Sequence, residues 1–88
     1  MPFYGQAEGV VVTTLDDGTF LVHPATQEIY FLDALAAGVW SALAEPSDET
    51  ELADLLCEAF PEIDPATVRT DLARLLADLL ARDLAVLA

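Results

Sequence analysis

The apolar residues of this 88-residue chain change their spacing once, near Asp33, and this change limits the folds that the chain can adopt. Up to Leu32 they fall in short runs rich in β-branched and aromatic side chains, which is typical of strands. Beyond Asp33 they recur every three or four residues, which is typical of helices. The pattern predicts an α+β fold in which a sheet comes first and helices follow.

Three strands are predicted in the first part of the chain, at residues 10–15, 19–23 and 28–32. Asp16-Asp17-Gly18 separates the first two, and Asp-Gly between apolar runs is a strong hairpin signal because glycine adopts positive φ at little cost. Pro24 ends the second strand, since proline has no N–H to donate to a ladder. We therefore expect three consecutive antiparallel strands, a meander.

Three helices are predicted in the second part. Asp33 caps the first, which runs to about Ala44. Asp48 with Glu51 has the form of a capping box and starts the second. Asp64-Pro65 starts the third, which runs to about Arg82, because proline is favoured at the first helical position. Residues 1–88 are then expected to form a single domain, with residues 1–9 as a flexible arm.

The second and third strands are apolar on both faces, although a sheet covered by helices on one side usually alternates apolar and polar residues. On the second strand, Phe20 and Val22 point to one face and Leu21 points to the other. On the third strand, Ile29 and Phe31 point to one face, and Tyr30 and Leu32 point to the other. Two interpretations remain open. Small domains expose some apolar surface in any case. Alternatively, the second face contacts a partner or forms a homodimer.

The charge is strongly acidic, with 16 Asp and Glu against 3 Arg and no Lys, for a formal net charge of −13. Phosphate backbones and anionic membrane surfaces both require basic side chains, so we expect no nucleic acid and no membrane among the partners. The sequence shows neither a signal peptide nor a stretch of about 20 apolar residues. A cytoplasmic location is expected.

The chain offers little material for catalysis or for metal binding. His23 is its one histidine and Cys57 its one cysteine, and it has no lysine. No third group is available to orient a Cys–His pair, and one cysteine with one histidine cannot form a structural zinc site. We expect no enzyme, no catalytic residues, no cofactor and no metal.

The three arginines all lie on the predicted third helix. Arg74 and Arg82 have Asp71 and Asp78 at helical spacing, which predicts ordinary surface pairs. Arg69 has no carboxylate at those offsets and falls at one edge of the apolar stripe. It either pairs with an acid in a nearby loop or contacts an acidic side chain of a bound peptide.

From residue 19 to residue 85 the chain resembles the PqqD-like family, whose members are also called RiPP precursor recognition elements. Two departures occur: Asp33 stands where asparagine is usual, and Asp83 stands where glycine is frequent. The segments that carry the resemblance are Leu21-Val22-His23-Pro24, Glu28-Ile29-Tyr30-Phe31-Leu32-Asp33, Ala37 and Trp40, Thr50-Glu51-Leu52, Asp64-Pro65-Ala66-Thr67-Val68, Asp71-Leu72 and Leu75 to Leu80.

The resemblance implies a fold similar to a winged helix-turn-helix, with a three-stranded antiparallel meander followed by three helices. It also implies a non-catalytic peptide chaperone, which binds the leader of a ribosomally synthesised precursor peptide by strand addition. Such a module presents the precursor to a modifying enzyme, either a radical SAM maturase or a leader protease, in the biosynthesis of PQQ or of another natural product.

The resemblance places the leader beside the third strand, in a groove against the third helix. The residues expected to bind the peptide are Glu28, Ile29, Tyr30, Phe31 and Leu32 on the strand and Val68, Arg69, Leu72, Leu75 and Leu76 on the helix. The alternative is a winged-helix adaptor or regulator that binds another protein. Binding to DNA is the weakest alternative, because the third helix carries acids as well as arginines.

Overall fold

A computed structural model describes residues 2–16 and 18–87. Four strands come first in this part of the chain, and three helices and two short strands follow, in an α+β arrangement. The elements are β1 (Phe3–Gln6), β2 (Val11–Leu15), β3 (Gly18–Val22), β4 (Ile29–Leu32), α1 (Ala34–Ala42), β5 (Ser47–Asp48), α2 (Glu49–Ala59), α3 (Pro65–Ala81) and β6 (Ala85–Leu87).

The predicted meander is confirmed: β2, β3 and β4 pair antiparallel in this order. Leu15 pairs with Gly18 where β2 and β3 meet, and Asp17 of the predicted Asp-Gly turn lies outside the described residues. Gly18 has φ +148°, and a Cβ on it would approach Cε1 of Phe31 to 2.5 Å. Glycine is required there both by the backbone conformation and by the aromatic ring on the neighbouring strand.

A second sheet, with strand order β5-β1-β6, is an addition to the predicted fold. Its central strand is Phe3–Gln6, part of the segment that we expected to be a flexible arm. Tyr4 pairs with Leu87 on one side and with Ser47 on the other. The side-chain Nε2 of Gln6 also donates a hydrogen bond of 2.8 Å to the carbonyl of Trp40. Strand pairing and this bond join the segment to the helical half of the molecule.

The predicted helix starts are confirmed by their caps. The side chains of Asp33, Asp48 and Asp64 accept hydrogen bonds of 2.8 Å from the backbone N–H groups of the first turns of α1, α2 and α3. Each bond satisfies one of the N–H groups that a helix start leaves without a partner. The first helix ends at Ala42, slightly before the predicted end.

The end of α3 is closed by backbone hydrogen bonds. Leu84 N–H donates to the carbonyl of Leu79 at 2.9 Å, and Asp83 N–H donates to that of Leu80 at 3.1 Å. These bonds form a Schellman motif, which needs a left-handed residue after the helix. Asp83 is that residue, with φ 57°, and this explains why the resembling family often has glycine there.

The core lies between the helices and one face of the meander. Leu21 and Leu32 contribute to it from the sheet, and Val39 and Trp40 contribute from α1. The longest buried stripe belongs to α3 and comprises Val68, Leu72, Leu75, Leu76 and Leu79. In residues 2–16 and 18–87, no helix has the length and apolarity needed to cross a membrane.

Candidate peptide-binding groove

Strand β4 lies at an edge of its sheet, with one side paired to β3 and the other side open. His23 N–H donates to the carbonyl of Glu28 at 3.0 Å. Hydrogen-bonded and non-bonded pairs alternate along an antiparallel ladder, so Tyr30 and Leu32 direct their backbone groups to β3. The N–H and C=O groups of Ile29 and Phe31 therefore point to the open edge. Such an edge is a template for another strand.

A groove with a cavity volume of about 320 Å³ lies between this edge and α3. Its apolar lining comes from Leu35 and Ala36 of α1 and from Leu75 of α3. Its polar lining is dominated by carboxylates. The lining residues are Tyr30, Phe31, Asp33, Leu35, Ala36, Asp71, Arg74, Leu75 and Asp78. Strand β4 thus offers backbone hydrogen bonds beside a pocket for side chains.

Contacts of Tyr30 and the preceding Glu28 with Asp78 of α3 and its C-cap residue Arg82 define one end of the groove. Tyr30 Oη donates to Asp78 Oδ2 at 3.5 Å. Arg82 Cζ lies 5.0 Å from the centroid of the Tyr30 ring, and Arg82 Nη1 lies 3.8 Å from Glu28 Oε2. Burial, followed by the negative charge of Asp78, raises the pKa of the Tyr30 hydroxyl above its ordinary value. The Tyr30 hydroxyl therefore keeps its proton, and can donate it in a hydrogen bond, to a higher pH than an ordinary tyrosine.

The structure brings together only some of the residues predicted to bind the peptide. Tyr30, Phe31 and Leu75 line the groove; Ile29 lies on β4 without lining it, and Glu28 immediately precedes the strand, which begins one residue later than predicted. The other members lie elsewhere. Leu32 is 1% exposed, and Val68, Leu72 and Leu76 are between 0 and 2% exposed. These four side chains belong to the core. Leu32 enters it from β4, and the other three do so because the apolar stripe of α3 is wider than the part of it that borders the groove.

Arg69 lies away from the groove, contrary to its predicted position at the rim. It lines a different cavity together with Tyr4, Glu49 and Asp54. Arg74 lines the groove instead. Five residues along a helix correspond to a rotation of about 140° beyond a full turn, so the two arginines lie on opposite edges of the buried stripe. Spacing alone does not say which edge faces β4.

The predicted ion pairs within α3 are not formed. Among residues 2–16 and 18–87, the one pair closer than 4.0 Å joins Arg82 to Glu28, not to Asp78. Arg74 is exposed and makes no such pair with Asp71 or Asp78 in this part of the chain. The groove-lining residues that sequence reasoning missed are Asp33, Leu35, Ala36, Asp71, Arg74 and Asp78. For the three residues on α3 the sequence did contain an indication, because the spacing of Asp71, Arg74 and Asp78 places them on one face of the helix.

The face of the meander that points away from the helices is apolar. Strand register aligns Val11, Val22 and Ile29 in one row across the sheet, and Phe20 and Phe31 in the next. The two phenylalanine rings meet edge to face with their centroids 5.3 Å apart. Ile29 is 67% exposed and Phe31 is 52% exposed. We name the side chains of Val11, Val22, Ile29, Phe20 and Phe31 the outer face.

The histidine and the cysteine have local, structural surroundings. His23 Nδ1 accepts hydrogen bonds from the N–H groups of Ala25 at 3.0 Å and Thr26 at 3.3 Å, and so it shapes the turn between β3 and β4. Cys57 lies half-buried on α2. In the part of the chain that the structure describes, no group of three or more His, Cys, Asp or Glu side chains is arranged to hold a metal.

Comparison with solved structures gives relatives that match nearly the whole chain. TbiB1, solved in complex with the TbiA(beta) leader peptide, is 31% identical, with a TM-score of 0.78 over 92% of this chain and 93% of that one. Lasso peptide synthetase B1, complexed with the leader peptide, is 20% identical, with a TM-score of 0.79 over 94% and 96% of the two chains.

The PqqD truncation of Methylobacterium extorquens PqqCD is a further structural relative, 20% identical, with a TM-score of 0.76 over 96% of this chain and 88% of that one. It is described as a functional and stand-alone RiPP recognition element. Comparison with curated protein sequences finds no significant match. The family model for coenzyme PQQ synthesis protein D (PqqD) matches residues 18–85. This match and the 31% identical relative confirm the resemblance seen in the sequence: the chain belongs to the PqqD family.

Proposed function

We propose that this chain is a non-catalytic peptide chaperone that binds the leader of a ribosomally synthesised precursor by strand addition beside β4. Family membership supports the proposal, as does the 31% identity to TbiB1, which was solved with a leader peptide bound. The observation that carries it is the open edge of β4 beside a groove with an apolar floor. A strand added there gains affinity from its backbone and selectivity from its side chains.

The energetics of such a complex are consistent with reversible binding. Ile29 and Phe31 offer four outward backbone groups, each worth about 1 kcal/mol net when hydrogen-bonded. Two side chains buried against Leu35 and Leu75 would add about 2 kcal/mol each. The gross sum is about 8 kcal/mol, from which ordering a flexible leader removes several. The few kcal/mol that remain correspond to a dissociation constant between about tens of micromolar and millimolar, so the complex would be weak and would allow the precursor to be passed on.

The chaperone is proposed to present the bound precursor to a modifying enzyme, a radical SAM maturase or a leader protease, with no catalytic step of its own. The surroundings of His23 and Cys57 support this assignment. The imidazole accepts hydrogen bonds from its own turn, and the thiol is half-buried on a helix remote in sequence. Neither lines the groove beside β4. Chemistry on the peptide is therefore left to the partner enzyme.

The direct test is an NMR titration of the full chain with the leader of the precursor encoded beside its gene. We expect amide shifts along Glu28–Leu32 and at Asp71–Asp78, the residues that border the groove. Shifts confined to α2, or a gene neighbourhood without a precursor peptide and a modifying enzyme, would contradict the proposal. The shifts at α2 serve as the internal control, because α2 contributes no residue to the groove.

The outer face favours a second candidate, an adaptor that binds another protein or a second copy of the chain. Ile29 and Phe31 expose much of their side chains on that face, and adjacent exposed apolar groups often mark an interface. Light scattering at two concentrations distinguishes the homodimer from the partner: a mass that rises with concentration indicates self-association. A monomer mass at both concentrations would indicate that the outer face binds a different protein.

A further inference from the structure

The groove beside β4 carries more negative than positive charge. Asp33, Asp71 and Asp78 line it, against Arg74 alone, so the formal charge of its lining is −2, from three negative groups and one positive group. Within residues 2–16 and 18–87, no cation lies closer than 4.0 Å to any of these carboxylates. A peptide that enters the groove therefore meets carboxylates that form no close ion pair, with Arg82 over the Tyr30 ring at one end.

Strand β4 and helix α3 run antiparallel along the groove. Tyr30 contacts Asp78 at 3.5 Å, and Glu28 contacts Arg82 at 3.8 Å. Two strand residues cover about 6.6 Å and four helical residues about 6 Å, so the two elements stay in step. The next step along both brings Leu32 level with Arg74. Asp78 thus lies level with the middle of β4. The other two lining carboxylates, Asp33 and Asp71, lie farther along the groove, on the side of Arg74 away from Asp78.

Asp78 is the lining carboxylate that lies level with β4 and still has capacity to accept hydrogen bonds. Asp33 already accepts a hydrogen bond of 2.8 Å from the first turn of α1. Asp78 accepts one from Tyr30 at 3.5 Å, which is long for an O–H donor, and its side chain is exposed.

Side chains of an added strand alternate, so about two of them face α3 over the length of β4, roughly 6.8 Å apart. One is placed to contact the apolar floor formed by Leu35, Ala36 and Leu75. The other is then level with Asp78. These two positions differ in chemistry, one apolar and one anionic.

We propose that the groove selects extended peptides that carry a lysine or arginine two residues from an apolar side chain, with the cation against Asp78 and the apolar group on Leu75. This inference rests on the proposed function, since it specifies which leader the same site accepts. Complementary charge at a rim contributes mainly to selectivity and to the rate of association.

The test selects binders to the immobilised full chain from a displayed library of random twelve-residue peptides. We expect Lys or Arg to be enriched two positions from an apolar residue. Asp78→Asn should remove this enrichment and weaken an enriched peptide about fivefold, as expected for an exposed pair. The matched control is Asp54→Asn, which changes the net charge equally but lies on α2, and it should retain the enrichment.

Two arginine variants test the same geometry by removing a positive charge instead of a negative one. Arg74→Gln removes the positive group from the groove and should tighten binding of an enriched peptide about threefold. Arg69→Gln makes the same change in net charge at the remote cavity and should leave the affinity unchanged. Equal effects of the two variants would overturn the inference, because only the total charge would then matter.

The remaining outcomes separate the inference from the proposed function. Enrichment of Asp or Glu, or peptides that perturb the β4 amides without any basic preference, would overturn the inference alone. The loss of enrichment in Asp54→Asn would do so as well. A library without binders, or binders that leave the β4 amides unperturbed, would overturn both.

Discussion

At the scale of single residues, the three arginines show what helical spacing can predict about a side chain and what it cannot. Spacing placed all three on α3, and the structure confirms this position for Arg69 and Arg74. Spacing could not predict which edge of the buried stripe faces β4, because that depends on how the helix is rotated over the sheet. For the same reason Arg82 pairs with Glu28, which immediately precedes β4, and not with the nearest helical carboxylate.

Tyr30 is the residue whose titration reports on the groove. Its pKa is raised by burial and by Asp78, so the folded protein keeps the proton at a pH where the unfolded chain has lost it. The stability that Tyr30 contributes is complete below about pH 10 and is lost as the pH rises through its folded-state pKa. Subtracting the phenolate absorbance of Tyr30→Phe from that of the unaltered protein should give a midpoint above the ordinary tyrosine value.

Asp78→Asn provides the control for this titration. It removes the second cause of the shift, so the Tyr30 midpoint should fall while staying above the ordinary value, because burial is the larger cause. A midpoint that is unchanged in Asp78→Asn would contradict the contact between these two side chains. A midpoint at the ordinary value in the unaltered protein would contradict the burial of Tyr30.

At the scale of elements, the meander and the three helices could be predicted because their signals are local. The Asp-Gly turn and the caps at Asp33, Asp48 and Asp64 each act within a few residues. Strands β1, β5 and β6 gave no such signal. They have four, two and three residues, too few to show a period, and they pair across more than forty residues of sequence.

The groove could be predicted only in part, for a related reason. The resemblance located it between β4 and α3, and of the residues named from it Tyr30, Phe31 and Leu75 line the cavity there. The contribution of Leu35 and Ala36 depends on how α1 packs beside β4. Leu72 and Leu76 share the apolar stripe with Leu75 in the sequence, and only packing separates buried members from those at the border.

The end of α3 provides a stability prediction. Asp83 adopts a left-handed conformation that glycine accepts without strain, and its charge lies at the negative end of the helix dipole. Asp83→Gly should therefore raise the free energy of unfolding by about 1 kcal/mol, measured by urea denaturation. Asp83→Ala removes the charge but keeps a Cβ, so it separates the effect of the charge at the helix end from the effect of backbone strain. A glycine variant no more stable than the alanine variant would contradict the backbone explanation.

The two edges of the meander provide a matched pair of variants. Ile29→Pro removes an outward N–H from β4, where proline is tolerated because that group bonds to no neighbouring strand. It should weaken leader binding about tenfold, through one lost hydrogen bond and the added ring. Val12 has the equivalent outward position on β2, the opposite edge. Val12→Pro should leave the affinity, measured by fluorescence anisotropy, unchanged.

Thermal unfolding of both proline variants checks that each is folded. Equal losses of affinity at the two edges would contradict strand addition at β4. Full affinity in Ile29→Pro would contradict it as well, because an added strand must use that N–H.

At the scale of the whole molecule, the net charge of −13 has more than one origin. Asp33, Asp48 and Asp64 cap helices, while Asp71 and Asp78 line the groove. A protein so acidic attracts basic surfaces over long distances, which raises encounter rates with a basic partner enzyme and with a basic peptide alike. Local contacts in the groove then decide which peptide stays bound.

The central claim is that a peptide adds as a strand to β4, and amide hydrogen exchange with and without the leader tests it most directly. In the free protein, Ile29 and Phe31 amides should exchange fast and Tyr30 and Leu32 amides slowly, because only the latter bond to β3. The leader should slow Ile29 and Phe31 while Val12 on the opposite edge stays fast. Slowing at Val12, or no slowing at Ile29 and Phe31 when the leader is bound, would contradict the claim.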